Sequence, residues 1–499
     1  MFTSLFRRYR LKRWVAHVRK FLAREGRPSF TANANAQASA RTRAELFQLA
    51  WPIVIAMSAE TMLGLVDTKL VGGLGPAALG GVGLATMMMY VGYSLVFGAM
   101  RAVKVQTAHA VGEGRPQDGI RYAQAGILMA VGIGVALFIF GRDISWLLLA
   151  LGVDHELIAP ARDFFSAVTY GSVGVTVLVA LHQHRQATGD TRSPMIVGLV
   201  ANVFNGFFAY GLIYGHWGLP ALGVRGAGYA TATSEYLECI MLGALLLRDM
   251  KRCPPSTLRL REACRGVWDL GMPTAIHFGA ETLAFTTFTA VLGTLASSEI
   301  ASHQVAMATI RTSFLPGVAI AEAASILVGR SLGEKRLDEA DRATWAALQL
   351  AVGFMAVCGV IFAVFGGALA HGFSTDPEVI RITRNLLLVA AVFQVLDAVN
   401  IVLRGALRGA KDVRATAIIG VTVVWTCVPT AAYVLGKLAG LGALGGWLGF
   451  IGETTFSATF FWLRYWRGPW RRGYVPPSAN APSTEGGLAQ AENASLNAA

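Results

Sequence analysis

The sequence predicts an all-α membrane protein with twelve transmembrane helices in two six-helix lobes, related by a pseudo-two-fold axis along the membrane normal. Three observations predict it. Apolar residues make up 54% of the 499 residues and charged residues only 15%, and the mean hydropathy is +0.50, a balance that soluble domains do not show. Runs of apolar residues long enough to cross a hydrocarbon core roughly 30 Å thick number about twelve. The chain also repeats itself at an offset of about 221 residues, the mark of a duplicated bundle.

The apolar runs place spans near 46–71, 77–101, 120–141, 160–182, 194–215, 224–248, 266–294, 300–328, 343–367, 381–407, 415–435 and 441–464. With the N-terminus inside, about 20 of the basic residues between spans fall in the five inner loops and about 6 in the six outer ones, the bias that orients a multi-pass protein. The inner loop "RDMKRCPPSTLRLREACR" alone holds six. Both ends are basic, "FRRYRLKRWVAHVRK" and "RYWRGPWRR", so an even number of crossings in the cell (inner) membrane leaves both termini cytoplasmic. The expected division is a basic cytoplasmic segment over 1–45, a first lobe over 46–248, a basic cytoplasmic linker over 249–265, a second lobe over 266–464 and a cytoplasmic tail over 465–499. After about Tyr474 that tail is polar and rich in small residues, the composition of disordered chain.

The net charge of +13 is accounted for by orientation and by attraction to anionic lipid, so no nucleic-acid partner is indicated. Cys239, Cys253, Cys264, Cys358 and Cys427 have no paired spacing that would signal a disulfide framework or a zinc site. His182 and His184 sit together at an inner helix end without an evident third ligand, which argues against an integral-membrane enzyme. A P-loop with Lys-Ser or Lys-Thr is also missing, which argues against direct ATP drive. No cofactor is expected.

The repeat pairs "WPIVIAMSAET" with "MPTAIHFGAET", so Pro52 meets Pro273 and Glu60 meets Glu281. "VGEGRPQDGIRYAQA" matches "VGRSLGEKRLDEADRATWAA", and "TGDTRSPMIVG" matches "AKDVRATAIIG". Six crossings per half is an even number, so both halves enter the membrane from one side as a parallel repeat. Such duplication is common in secondary transporters that alternate access by rocking one half against the other. Glycines spread through the spans suit close helix approach.

Eight carboxylates fall inside spans: Glu60, Asp67, Glu235, Glu238, Glu281, Glu322, Asp397 and Glu453. A charge at mid-membrane costs roughly 2.5 to 3.5 kcal/mol on insertion scales, so each needs a partner or a task. Among basic residues, Lys69 extends to the outer surface, Arg101 and Lys104 reach headgroups from an inner helix end, and only Arg311 is placed for an internal ion pair. The interior then reads as net acidic, which favours a cationic substrate, a coupling cation, or both. Glu60 and Asp67 lie on one helix face about 10.5 Å apart, where an effective dielectric near 20 leaves about 1.6 kcal/mol of repulsion. His277 precedes Glu281 by four residues and lies beside it on a helix, a spacing open to a proton relay or to plain hydrogen bonding. Glu322 has Arg101 as its repeat partner, which allows an ion pair across the lobes.

The motifs "GLVDTKLVGGLGPAAL", "GLPALGVRGAGYATA", "IASHQVAMATI", "ILVGRSLG" and "LRGALRGAKD", taken in order over residues 46–464, resemble the multidrug and toxic compound extrusion (MATE) family, and within it the NorM-like branch. The resemblance implies a twelve-helix, two-lobed antiporter that exports organic cations or drugs in exchange for H+ or Na+; a monomer is expected. It implies a first-lobe acid at Asp67 and second-lobe acids at Glu281 and Asp397, with Na+ held at Asp67 and Asn205 or at Glu281 and Asp397. Family members often carry a further acid or amide four residues after Asn205, where this chain has Ala209. Thr231 and Glu235 stand where they could supply the lost ligand, and Glu60 stands where an uncharged polar residue is usual. The rival within the broader superfamily is a lipid-linked oligosaccharide flippase, which would need a basic cavity for pyrophosphate.

Overall fold

The computed structural model describes residues 30–141, 143–150 and 152–472. The basic residues before 30 and the tail from 473, to which the disorder reading applied, lie outside the described residues. Twelve long helices follow one another: α1 (Phe30–Gly72), α2 (Pro76–Gly112), α3 (Pro116–Phe140), α4 (His155–Ala187), α5 (Arg192–Tyr214), α6 (Val224–Arg252), α7 (Leu260–Leu292), α8 (Ser297–Gly333), α9 (Leu337–His371), α10 (Pro377–Gly409), α11 (Val413–Leu438) and α12 (Gly442–Arg467). All but α12 are long and apolar enough to cross a bilayer. That last helix carries Glu453 among many Gly and Thr residues, yet its 26 residues span about 39 Å at 1.5 Å per residue and pack along α10 and α11.

Local sequence explains the starts and breaks. Pro occupies the first turn of α2, α3 and α10, where its missing N–H costs nothing. Asp154 and Asp376, which are repeat mates, cap α4 and α10 by accepting from the amides of Glu156 and Glu378 at 3.4 and 2.8 Å. A 3₁₀ turn at Thr169–Gly171 interrupts α4, and α11 ends in a π-helical stretch, Ala432–Leu438. Pro52 and Pro273 both lie inside their helices, α1 and α7, at equivalent points.

The duplication is visible in the packing. In the first lobe α1 packs on α5, α2 on α3 and α4, α3 on α4, and α6 on α4 and α5; the second lobe makes the same set with six added to every label. Between the lobes, α2 lies against α7 and α8, and α1 against α8.

Two expectations about extent change. Helices α2 and α8 run to Gly112 and Gly333, not to 101 and 328, and each spans 37 residues. The polar residues that ended the hydropathy count, Lys104, Gln106, Thr107 and His109, are buried against protein rather than released to water. The link between lobes is likewise short, residues 253–259, because α6 and α7 extend into the basic segment.

Candidate functional site

The polar contacts between the two lobes gather toward one end. Among the described residues, the polar bridges between them are Lys104 with Glu322, Arg101 with Glu322, Gln106 Nε2 to the Gly266 carbonyl at 3.1 Å, His109 Nε2 with the Gly409 carbonyl at 2.8 Å, Arg330 with Glu45 at 3.1 Å, and Arg43 with Gln349 at 3.1 Å. All lie toward the α2–α3 and α8–α9 connections. There the backbones meet directly: a Cβ on Gly112 would stand 2.0 Å from the Arg330 carbonyl oxygen, and one on Gly333 would stand 2.4 Å from that of His109. Gly112 and Gly333 are repeat mates, as are His109 and Arg330, so this crossing sits on the pseudo-two-fold axis. Higher up, Gly98 and Gly271 admit the facing backbone of α7 and α2. Among the described residues, none of these bridges or close glycine approaches to the second lobe involves the first 18 residues of α2.

In the first lobe, Asp67 is half-buried on α1, and its Oδ1 is buried with no hydrogen-bond partner. Asn205 on α5 is 1% exposed; its amide donates to Ser234 Oγ at 3.0 Å while its Oδ1 also lacks a partner. A Cβ on Gly206 would meet Val66 at 3.8 Å, so the Asp67 and Asn205 turns lie side by side. Thr231 gives its hydroxyl to the Ala227 carbonyl at 3.1 Å. Glu235 turns to the break in α4, where its Oε2, unpartnered, packs against Gly171; Asn205 is answered by Ser234 instead. Glu60 is exposed and within Coulombic reach of His182 and Glu238, which themselves pair at 2.7 Å.

The second lobe gathers more. Arg404 Nη1 donates to Glu281 Oε1 at 2.7 Å, and His277, 2% exposed, stands 4.0 Å from the other carboxylate oxygen. The ring of His277 fills the space over Gly420 on α11. On α10 the Asn400 amide lies 3.3 Å from Asp397 Oδ1 and 3.5 Å from Glu453 Oε1 of α12, and Ser457 donates to Glu453 at 2.9 Å. Glu281, Asp397 and Glu453 are thus held around Arg404, which interacts electrostatically with all three. Sequence reasoning missed Arg404 and Asn400. Their signal was spacing: Asn400 and Arg404 follow Asp397 by three and seven residues, on one face of α10.

The basic residues correct the sequence reading. Arg311 is exposed and has no ion pair among the described residues. Arg101 and Lys104 do not reach headgroups; α2 continues for more than two turns beyond them, and they clasp Glu322 at 2.7 and 2.6 Å. The Arg101–Glu322 pair is the cross-lobe pair that the repeat allowed. With Arg404 and the buried Arg408, four cations stand opposite the inner carboxylates, so the interior is not uniformly acidic.

A duplicated bundle of membrane-spanning helices, closed at one end and lined with charge at mid-depth, is the construction of a multi-pass membrane transporter. Residues 52–211 and 273–433, one stretch in each lobe, match the MatE family, and the chain belongs to that family. It is 28% identical over 444 residues to the probable multidrug resistance protein NorM of Thermotoga maritima, covering 87% of this chain and 94% of that one. It is 30% identical over 436 residues to the probable NorM of Burkholderia mallei, covering 86% and 93%. Among solved structures, a eukaryotic MATE transporter shares the fold at a TM-score of 0.78 and 20% identity, over 87% of this chain and 98% of that one. A MATE multidrug resistance transporter in an outward-facing conformation does so at 0.76 and 20%, over 85% and 95%.

Proposed function

We propose that this chain is a secondary active multidrug efflux antiporter, exporting organic cations by alternating access in exchange for H+ or Na+. With the N-terminus cytoplasmic, the closed end faces the cytoplasm and the cleft opens outward. The observation that carries the reading is the pair of carboxylates sharing one amide in the second lobe. Asp397 and Glu453 are at most about 7 Å apart, since an oxygen of each lies within 3.5 Å of Asn400 Nδ2, and at an effective dielectric near 20 two charges so placed repel by about 2.4 kcal/mol. A proton, a Na+ or an organic cation relieves that repulsion. Two of these bound at once would compete for the same negative charge, which is the linkage an antiporter needs.

Glu281 has its charge answered by Arg404 and serves to hold that guanidinium beside the pair. In the first lobe, the two unpartnered oxygens of Asp67 and Asn205 offer a second place for a cation. Arg101, Lys104 and Arg408 lie under the closed end and Arg404 is answered by Glu281, so the described residues offer no cluster of free basic side chains for a lipid-linked pyrophosphate, which disfavours the flippase reading.

The test is transport by the purified protein in proteoliposomes, with a pH gradient and a Na+ gradient imposed separately. Efflux of an organic cation dye is expected to follow one of the two gradients and to be lost in Asp397→Asn or Asp67→Asn while the protein stays inserted. Undiminished efflux in both single variants, or movement of a lipid-linked sugar and no cation, would overturn the reading.

A further inference from the structure

Beneath the cleft, at the closed end, three cations surround a small cavity with a single anion to balance them. Arg101 and Lys104 of α2 both bind Glu322 of α8, and Arg408 of α10 completes the lining with Ser325. Lys104 has a side chain only 3% exposed. Arg408 is 7% exposed, and its Nε and Nη2 are buried with no hydrogen-bond partner. Its guanidinium and that of Arg101 both lie over the Phe278 ring, 4.9 and 4.2 Å from the centroid. A cation–π contact satisfies the ring face of a guanidinium, and leaves its in-plane N–H donors free.

Two surplus positive charges remain in a place shielded from water. Arg408 is within electrostatic reach of Arg101, Arg404, Glu322 and Glu281, but Glu322 is occupied by α2 and Glu281 by Arg404. A buried charge without a counter-charge is strongly destabilising, and a water molecule in the cavity would satisfy a donor without balancing the charge. We infer that this cavity binds one small inorganic anion of chloride size, held by Arg408, Lys104 and Arg101. Size sets the class. The space among Arg101, Lys104, Ser325 and Arg408 is narrow, which favours a monatomic anion over sulfate, phosphate or an organic carboxylate.

The site is shared between the lobes: α2 supplies Arg101 and Lys104, and α8 and α10 supply Glu322 and Arg408. Parting the lobes at this end would dismantle it. The anion therefore binds the closed arrangement and not the open one, and by mass action stabilises closure. This does not depend on which cation drives transport, or on which drug is carried.

Crystals of the full-length protein grown with bromide in place of chloride, read by anomalous scattering, test the site directly; a peak among Arg101, Lys104 and Arg408 is expected. In parallel, the thermal midpoint of the detergent-purified protein is followed at constant ionic strength while gluconate is exchanged for chloride. A saturable rise with chloride or bromide is expected in the wild type, lost in Arg408→Gln and kept in Arg311→Gln. No bromide peak at the cavity, or a wild-type midpoint indifferent to the exchange, would overturn the proposal whatever the behaviour of the variants.

Discussion

Replacing Gly112 with alanine would force α2 and α8 apart where the two lobes are pinned. The added methyl would lie 2.0 Å from the carbonyl oxygen and 2.9 Å from the carbonyl carbon of Arg330, and ordinary contact begins at 3.4 Å. The neighbour is backbone, so no rotamer can yield and the helices must separate by about 1.4 Å. Overpacking of this kind costs about 1–3 kcal/mol. The cost falls on the closed arrangement alone, so the ratio of closed to open molecules should drop by about 5- to 150-fold. Spin labels at Arg115→Cys and Arg336→Cys, in a background with the five native cysteines replaced, would report the separation of this end by pulsed electron resonance. Gly112→Ala should move the distance distribution toward longer values, and Gly333→Ala should do the same. Gly92→Ala, earlier on α2, where a Cβ meets nothing within 4 Å, should leave it unchanged. An unaltered distribution in Gly112→Ala, or an equal change in Gly92→Ala, would refute the pinning argument.

Three further outcomes follow from the same structure. Arg404→Gln leaves Glu281 without its cation in a mostly buried setting, and should cost about 3 kcal/mol; thermal unfolding should show much of this recovered in the Arg404→Gln, Glu281→Gln double variant. Tyr465→Phe removes a buried hydroxyl that joins Thr344 at 2.8 Å and Asp341 at 3.0 Å, and should lower stability by about 1–1.5 kcal/mol without affecting dye efflux. In the α4–α5 turn, burial tends to raise the Asp190 carboxyl, but the Ser193 hydroxyl and amide and the Arg185 guanidinium prevail and hold it below the usual carboxylate range. Its stabilising effect is therefore present above the ordinary aspartate value and lost as pH falls through the lowered one; Asp190→Asn should flatten that acid limb of the melting-temperature profile.

The membrane character, the number of spans and the duplication were legible in the sequence because each depends on a property carried locally by the residues. Apolar run length answers to the thickness of the bilayer, and the pairing of Pro52 with Pro273 or Glu60 with Glu281 needs only comparison of two stretches. The carboxylates Asp67, Asp397 and Glu281 stood out for a similar reason: an acid in an apolar run is conspicuous whatever surrounds it.

Arg404, Arg408 and Lys104 did not stand out, since basic residues near the end of a span read as headgroup anchors until the neighbouring helix is in place. Whether such a residue reaches water, lipid or a carboxylate depends on helices more than 100 residues away in sequence, as Arg404 with Glu281 and Lys104 with Glu322 show. By itself, then, the sequence determined the solvent of the protein, its twelve-helix plan and the acids that must be paid attention to. Only the tertiary structure decided which of those acids are already neutralised by an arginine or lysine, and which end of the bundle is shut. Those are relations between distant helices, and hydropathy and spacing describe one helix at a time.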